Sequence, residues 1–270
     1  MASGPITAHP VRPTSLTLTM LGSGTSMGVP SLGCGCAVCR SADPRDNRTR
    51  ASILLTAGEQ NILIDTSPDF RQQALRAGLA RLDGVLYTHG HADHILGLDD
   101  IRPFNLKQKQ RLPVFGNRQT LNILARTFAY IFDDKPTLST VPSVDLREIT
   151  GPFEFAGIEF QPVPARHGDM DVLGFRFGRA AYLTDFSELP AASMELLEGL
   201  DDLILDALRD RPHPMHSTVA HSLEIVRQLT PRRAWFTHIC HDLAHQETNA
   251  RLPENVRLGY DGLRFEVTLR

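Results

Sequence analysis

"THGHADH", residues 88–94, sets His89, His91, Asp93 and His94 within six positions, directly after the apolar run "GVLY". Such a run reads as a buried strand. The polar residues after it then form a turn leaving the sheet edge, where three imidazoles and a carboxylate can converge without burial in the strand layer. Imidazole and carboxylate together suit zinc, manganese, iron or nickel. The competing reading, a solvated loop that happens to hold histidines, is weighed against the acids and histidines further along the chain.

Those residues are not scattered. His167 follows "PVPARH", Asp185 ends "AAYLTD" and His238 ends "RAWFTH". Each stands where a strand leaves a sheet, the edge at which sites on α/β scaffolds gather. Any one of them alone could be a hydrogen-bonded loop residue. Added to residues 88–94 they complete a ligand set for two metal ions.

The rest of the pattern gives these residues a scaffold. "LTLTMLG", "ASILLTAG" and "NILIDTS" read as strands, and "PDFRQQALRAGLA" and "NRQTLNILARTFAYIF" as helices. Strands return at "FEFAGIEFQPVPA", "VLGFRFG", "AAYLTD" and "DDLILDA". An amphipathic helix, "STVAHSLEIVRQLT", precedes the strand "RAWFTH" and a final strand near "LRFEVTL". Strand-rich halves with helices between them, and neither repeat nor long linker, predict one layered α/β domain over residues 15–270. Residues 1–14, with three prolines and no apolar period, read as a disordered leader.

Composition excludes several classes. A chain of 270 residues with 41% hydrophobic content buries its own core, and a net charge of -3 lacks the basic excess of a general nucleic-acid or membrane-surface binder. With neither a signal-peptide pattern nor an apolar run of membrane-spanning length, a soluble cytoplasmic protein is expected.

In a reducing compartment clustered cysteines are metal ligands or redox groups more often than disulfides. "GCGCAVC", residues 33–39, brings Cys34, Cys36 and Cys39 together in a chain with one other cysteine. Cys36 and Cys39 make a CxxC, but no thioredoxin-like βαβ pattern surrounds it.

Taken together, the histidine loop and the later His, Asp and His resemble the metallo-β-lactamase fold superfamily over nearly the whole ordered chain. The resemblance implies a four-layer αββα sandwich. It also implies that His89, His91 and His167 bind one metal, Asp93, His94 and His238 a second, and that Asp185 bridges them. Asp65, ending "NILID", matches the acid that orients the histidine loop. Within the superfamily, "GSGTSMGVPSLGCGCAVC", "YLTDFSELP" and "THICHDL" are similar to the phosphoribosyl cyclic phosphate phosphodiesterases of phosphonate degradation. In that family the cysteine segment and the histidine three residues after the last catalytic ligand hold a structural zinc. Here these are Cys34, Cys36, Cys39 and His241, with Cys240 and His245 as alternative fourth ligands. Three thiolates and one imidazole make a closed site that contributes folding energy.

The resemblance implies a hydrolase with two catalytic divalent ions, manganese or zinc, with iron or nickel as alternatives. A hydroxide bridging the ions would attack a small, cyclic phosphodiester. Asp93 and His216 are the residues assigned to catalysis. Of the histidines in "RPHPMHSTVAHSLE", similarity favours His216 as the acid that protonates the leaving group, with His213 as a rigid-loop residue and His221 on a helix surface. A tRNA 3′-processing nuclease is the nearest rival, yet the one basic cluster, "KQKQR" at 107–111, is too short for a tRNA-gripping arm. A thioesterase or lactonase and a zinc-containing carrier protein are the remaining alternatives. A homodimer is allowed.

Overall fold

The computed structural model describes residues 12–133 and 139–270. In chain order the first half forms β1 (Ser15–Gly22), β2 (Ser52–Ala57), β3 (Gln60–Ile64), α1 (Phe70–Ala77), β4 (Gly84–Leu86), α2 (Ala92–Ile95), α3 (Arg102–Gln108), β5 (Leu112–Gly116), α4 (Arg118–Thr127), α5 (Ala129–Phe132) and β6 (Val144–Glu148). The second half forms β7 (Phe153–Phe155), β8 (Ile158–His167), β9 (Met170–Phe177), β10 (Ala180–Leu183), α6 (Ala191–Glu195), β11 (Asp202–Asp206), α7 (Val219–Leu229), β12 (Arg233–Thr237), α8 (His245–Arg251), β13 (Val256–Leu258) and β14 (Arg264–Thr268). Two seven-stranded sheets result, ordered β14-β1-β2-β3-β4-β5-β6 and β13-β12-β11-β10-β9-β8-β7.

Strand alternation explains why these sheets are covered on both faces. On β2 and β3, Ile53, Leu55, Ile62 and Ile64 point between the sheets, while Leu54 and Leu63 point outward beneath Phe70, Ala74, Leu121 and Leu124 of α1 and α4. The second sheet repeats the device. Tyr182 and Ile204 face the first sheet, whereas Leu183, Leu203 and Leu205 face Val219, Ile225, Val226 and Leu229 of α7. The three apolar cores therefore separate four layers, helix, sheet, sheet, helix, which is the expected sandwich. Strands buried on both faces read as near-continuous apolar runs, as "SILLTA" and "DLILD" do.

β3 to β6 run parallel, as do β10 to β13, so the carboxyl ends of both parallel sets meet along one edge. Asp65, the 88–94 loop, Asp185, Asp206 and His238 all emerge there.

Two features differ from the expectations. "FEFAGIEFQPVPA" is the β7–β8 hairpin, turned at Ala156 and Gly157, both with positive φ. The helix expected over 117–132 breaks at Phe128 into α4 and α5. Of the expected leader, residues 1–11 lie outside the described residues. Arg12 is ion-paired with Glu159 at 2.7 Å, and the Thr14 carbonyl accepts the Leu269 N–H. Among the described residues no helix is long and apolar enough to cross a membrane.

Candidate metal centres

Asp65 fastens the histidine loop to the end of β3. Its Oδ1 accepts the Thr88 N–H at 2.9 Å, and its Oδ2 accepts the Thr88 hydroxyl and His94 Nδ1, both at 2.8 Å. With Nδ1 committed, His94 can present only Nε2 to the site. Asp65, Asp185 and His238 hold φ of 64°, 50° and 56°, and they are half of the six non-glycine positive-φ residues described. Backbone in this region costs on the order of 1 kcal/mol or more and clusters where function dictates geometry.

The structure brings the predicted residues into two sets that share one carboxylate. His89, His91, His167 and Asp185 offer ligand atoms within 4.8 Å of one another, and so do Asp93, His94, Asp185 and His238. His94 Nε2 lies 3.2 Å from both Asp93 and Asp185, and His238 Nε2 lies 3.2 Å from Asp185. Even so, Nε2 of His89, His94 and His238 makes no hydrogen bond, although each is buried. Buried ring nitrogens of this kind are costly unless something else engages them. They converge with the carboxylates on common points, which is the arrangement of ligands around a cation rather than of donors on acceptors.

The charges fit the same reading. Burial opposes a charge on His94, yet Asp185, Asp93 and Asp65 outweigh it and raise its pKa well above the usual histidine value. His238 behaves likewise: against burial, Asp185 and Asp93 push it up to about 9. His89 goes the other way, lowered by burial and by His94, which favours the neutral ring.

A loop after β11 supplies what the sequence left open. His216 donates from Nδ1 to Asp206 at 3.1 Å, and its ring lies 4.7 Å from both His167 and His238. Asp206 is fully buried, has one oxygen without a hydrogen bond, and was not anticipated. The sign was there, an acid ending a strand just as Asp185 does. Nor could residue types reveal that the Met215 carbonyl accepts His167 Nδ1 at 2.6 Å, leaving Nε2 for the site. Gly168, at φ 58°, permits this approach, since a Cβ there would stand 2.3 Å from the Met215 sulfur. His213 stacks beyond His216 at 4.9 Å, while His221 sits exposed on α7.

Farther along the same edge, Cys34, Cys36 and Cys39 place their sulfurs 3.2, 3.5 and 3.4 Å from His241 Nδ1. Neither alternative fourth ligand joins them. Cys240 is buried and accepts the Asp242 N–H, and His245 packs edge-on against Tyr260. The Cys39 N–H pulls the Cys36 thiol down to about 6, whereas burial pushes Cys39 up to about 11. The lowered Cys36 value favours the thiolate, the form that binds a soft cation.

Comparison with known proteins agrees with this geometry. Residues 60–239 match the family described as a beta-lactamase superfamily domain. A crystal structure of a diphosphatase from the PhnP family superposes with a TM-score of 0.89 at 50% identity, over 94% of this chain and 98% of that one. An octanoyltransferase of Porphyromonas gingivalis is 40% identical over 249 residues, which are 90% of this chain and 50% of that protein. A ribonuclease Z of Bradyrhizobium sp. is 32% identical over 141 residues, 50% of this chain and 46% of that protein. The chain thus spans about half the length of the curated relatives it matches. On the beta-lactamase domain match and the near-complete alignment with the diphosphatase, the chain belongs to the metallo-β-lactamase superfamily and, within it, to the PhnP family.

Proposed function

We propose that residues 15–270 act as one dinuclear-metal-dependent phosphodiesterase that hydrolyses a small, preferably cyclic, phosphodiester. In this reading His89, His91 and His167 hold one ion, Asp93, His94 and His238 the other, and Asp185 both. Manganese or zinc fits this mixed imidazole and carboxylate set. Cys34, Cys36, Cys39 and His241 hold a structural zinc. When bound, the catalytic pair supplies Lewis-acid activation of water and offsets charge on the phosphoryl oxygens.

What the chain itself adds is orientation and a proton. Asp65 and the Met215 carbonyl accept hydrogen bonds from Nδ1 of His94 and His167, so both rings present Nε2. Asp206 likewise accepts a hydrogen bond from Nδ1 of His216, which leaves Nε2 of that ring for substrate as the proton donor. Asp185, Asp206 and His238 are buried, whereas His91, Asp93 and His216 are partly exposed and form the accessible side of the cluster. The placement of His216, in ring contact with one histidine from each set, carries the reading. A proton donor so placed serves a departing alkoxide, and such transfer contributes typically about 10²–10⁴-fold.

The half-identical diphosphatase supports a second substrate class, a small diphosphate, in which a phosphate departs and needs less help from a proton. It is matched nearly end to end, whereas the octanoyltransferase is matched over half its length, so hydrolysis at phosphorus is preferred to acyl transfer. Against a tRNA-gripping role, the basic run 107–111 closes α3 at Lys109 and leads into β5.

A substrate panel tests the proposal: cyclic and linear phosphodiesters, a small diphosphate, a lactone and a thioester, assayed on manganese-reconstituted protein. Turnover of the phosphodiesters or the diphosphate is expected. Faster turnover of the lactone or thioester, with the phosphoryl substrates untouched, would contradict it.

A further inference from the structure

Arg48 is 1% exposed and holds the stretch that follows His238. Its Nη1 donates to the Cys240 carbonyl at 3.0 Å, and its Nη2 to the Leu243 carbonyl at 2.7 Å and to Asp46 at 3.0 Å. The same Asp46 oxygen accepts the His245 N–H at 2.8 Å. One ion pair thus grips 240–245, an irregular stretch flanked by His238 and containing His241. On its other side Arg48 exchanges backbone hydrogen bonds with Val29 at 2.7 and 2.8 Å, where the loop carrying the three cysteines begins. Gly24 closes the contact, for a Cβ there would lie 2.7 Å from the Arg48 carbonyl.

Such a pair is poorly explained by stability alone. Burial lowers the Arg48 pKa, its Nε has no partner, and apolar replacement of a buried ion pair is often neutral or stabilising. Geometry explains it better. A planar fork can hold two carbonyls and a carboxylate at fixed angles, and the point charge of a lysine cannot. The held carbonyls, of Cys240 and Leu243, follow His238, whose backbone is left-handed, on the same short stretch.

We propose that Arg48 is a positioning residue that couples the cysteine centre to the histidine–aspartate centre through residues 238–245. The proposal rests on both centres holding metal. An ion on His241 and the Arg48 fork then fix the same short stretch, and through it His238.

The test is cobalt(II) and zinc(II) titration of metal-stripped full-length protein, with thermal melts. Thiolate charge-transfer absorption of cobalt distinguishes the cysteine centre. Loss of an outer partner of a ligand typically costs about 10–100-fold in metal affinity. Arg48→Met is therefore expected to weaken one histidine–aspartate uptake step by about that factor, with Arg48→Lys intermediate. Cys36→Ser should weaken the same step, and should add little in the Arg48→Met background. Should Arg48→Met fail to fold, Arg48→Lys and Asp46→Asn carry the same expectation. A lowered melting temperature with unchanged affinities, or full additivity with Cys36→Ser, would overturn the coupling while leaving the metal assignment standing. A wild-type chain that takes up no ion at the cysteines would overturn the assignment of that centre, and the coupling with it.

Discussion

The cysteine cluster and the histidine–aspartate cluster are separated along the backbone by only two residues, Ile239 and Cys240 between His238 and His241, yet are built on opposite terms. The first gathers three sulfurs and one imidazole from partly exposed loops, four ligand atoms with no carboxylate among them. The second draws imidazoles and carboxylates from the ends of strands in both sheets, buries them, shares Asp185 between two sets, and tolerates positive φ at Asp185 and His238. Four soft ligands close a site. A carboxylate shared between two nitrogen–oxygen sets would bring two ions close enough to act on one water and one substrate. The contrast teaches that donor softness and the sharing of a ligand separate a centre fit to hold a fold from one fit to do chemistry.

Each prediction can break that contrast. The largest effect belongs to Asp185→Asn, which alters the one carboxylate common to both sets. Several kcal/mol of transition-state stabilisation depend on that pair, so turnover should fall by about 10⁴-fold. Elemental analysis should show both catalytic ions depleted. Retention of both ions and of turnover would mean that the two sets act independently.

His216→Ala comes next and sharpens the open side. Protonation matters for a basic alkoxide and little for nitrophenolate, so about 10²–10⁴-fold should be lost on a ribose cyclic phosphate and far less on bis(p-nitrophenyl) phosphate. Equal losses on both would make His216 a phosphate or metal contact instead. Asp206→Asn, which unsettles His216 without touching substrate, should cost about 10–100-fold with metal content retained. Smallest of all, His221→Ala on the exposed face of α7 should leave turnover and melting near those of the unaltered chain, as surface substitutions stay within about 0.5 kcal/mol.

How much of this was legible depended on whether a feature carries a residue signature. The loop at 88–94, His167, Asp185 and His238 were readable because each couples a ligand-type side chain to the end of an apolar run. Asp206 ends such a run too, but "DDLILDA" holds acids at both ends, and nothing in the pattern says which one faces inward. The Met215 carbonyl was invisible, since every residue offers a carbonyl. Arg48 lies in an irregular segment where charge reads as surface, and only the fold shows it buried. Among the strands, β5, β6 and β13 were missed. They are short, and β5 holds Pro113 while β6 is half polar, so period-2 patterning has little to work on. The β7–β8 hairpin was read as one stretch because Gly157 alone marks its turn.

The contrast is tested most directly by a single side-by-side measurement, that of Cys36→Ser and Asp93→Asn, with metal content, melting temperature and turnover of one phosphodiester at saturating manganese. Cys36→Ser should lose one zinc, melt lower by about 2–4 °C for each kcal/mol forfeited, and keep most of its turnover. Asp93→Asn should melt near the unaltered protein, lose a catalytic ion and lose most of its turnover. The reverse pattern, with turnover lost at Cys36 and stability lost at Asp93, would contradict the assignment of fold support to the cysteines and of chemistry to the histidines and aspartates.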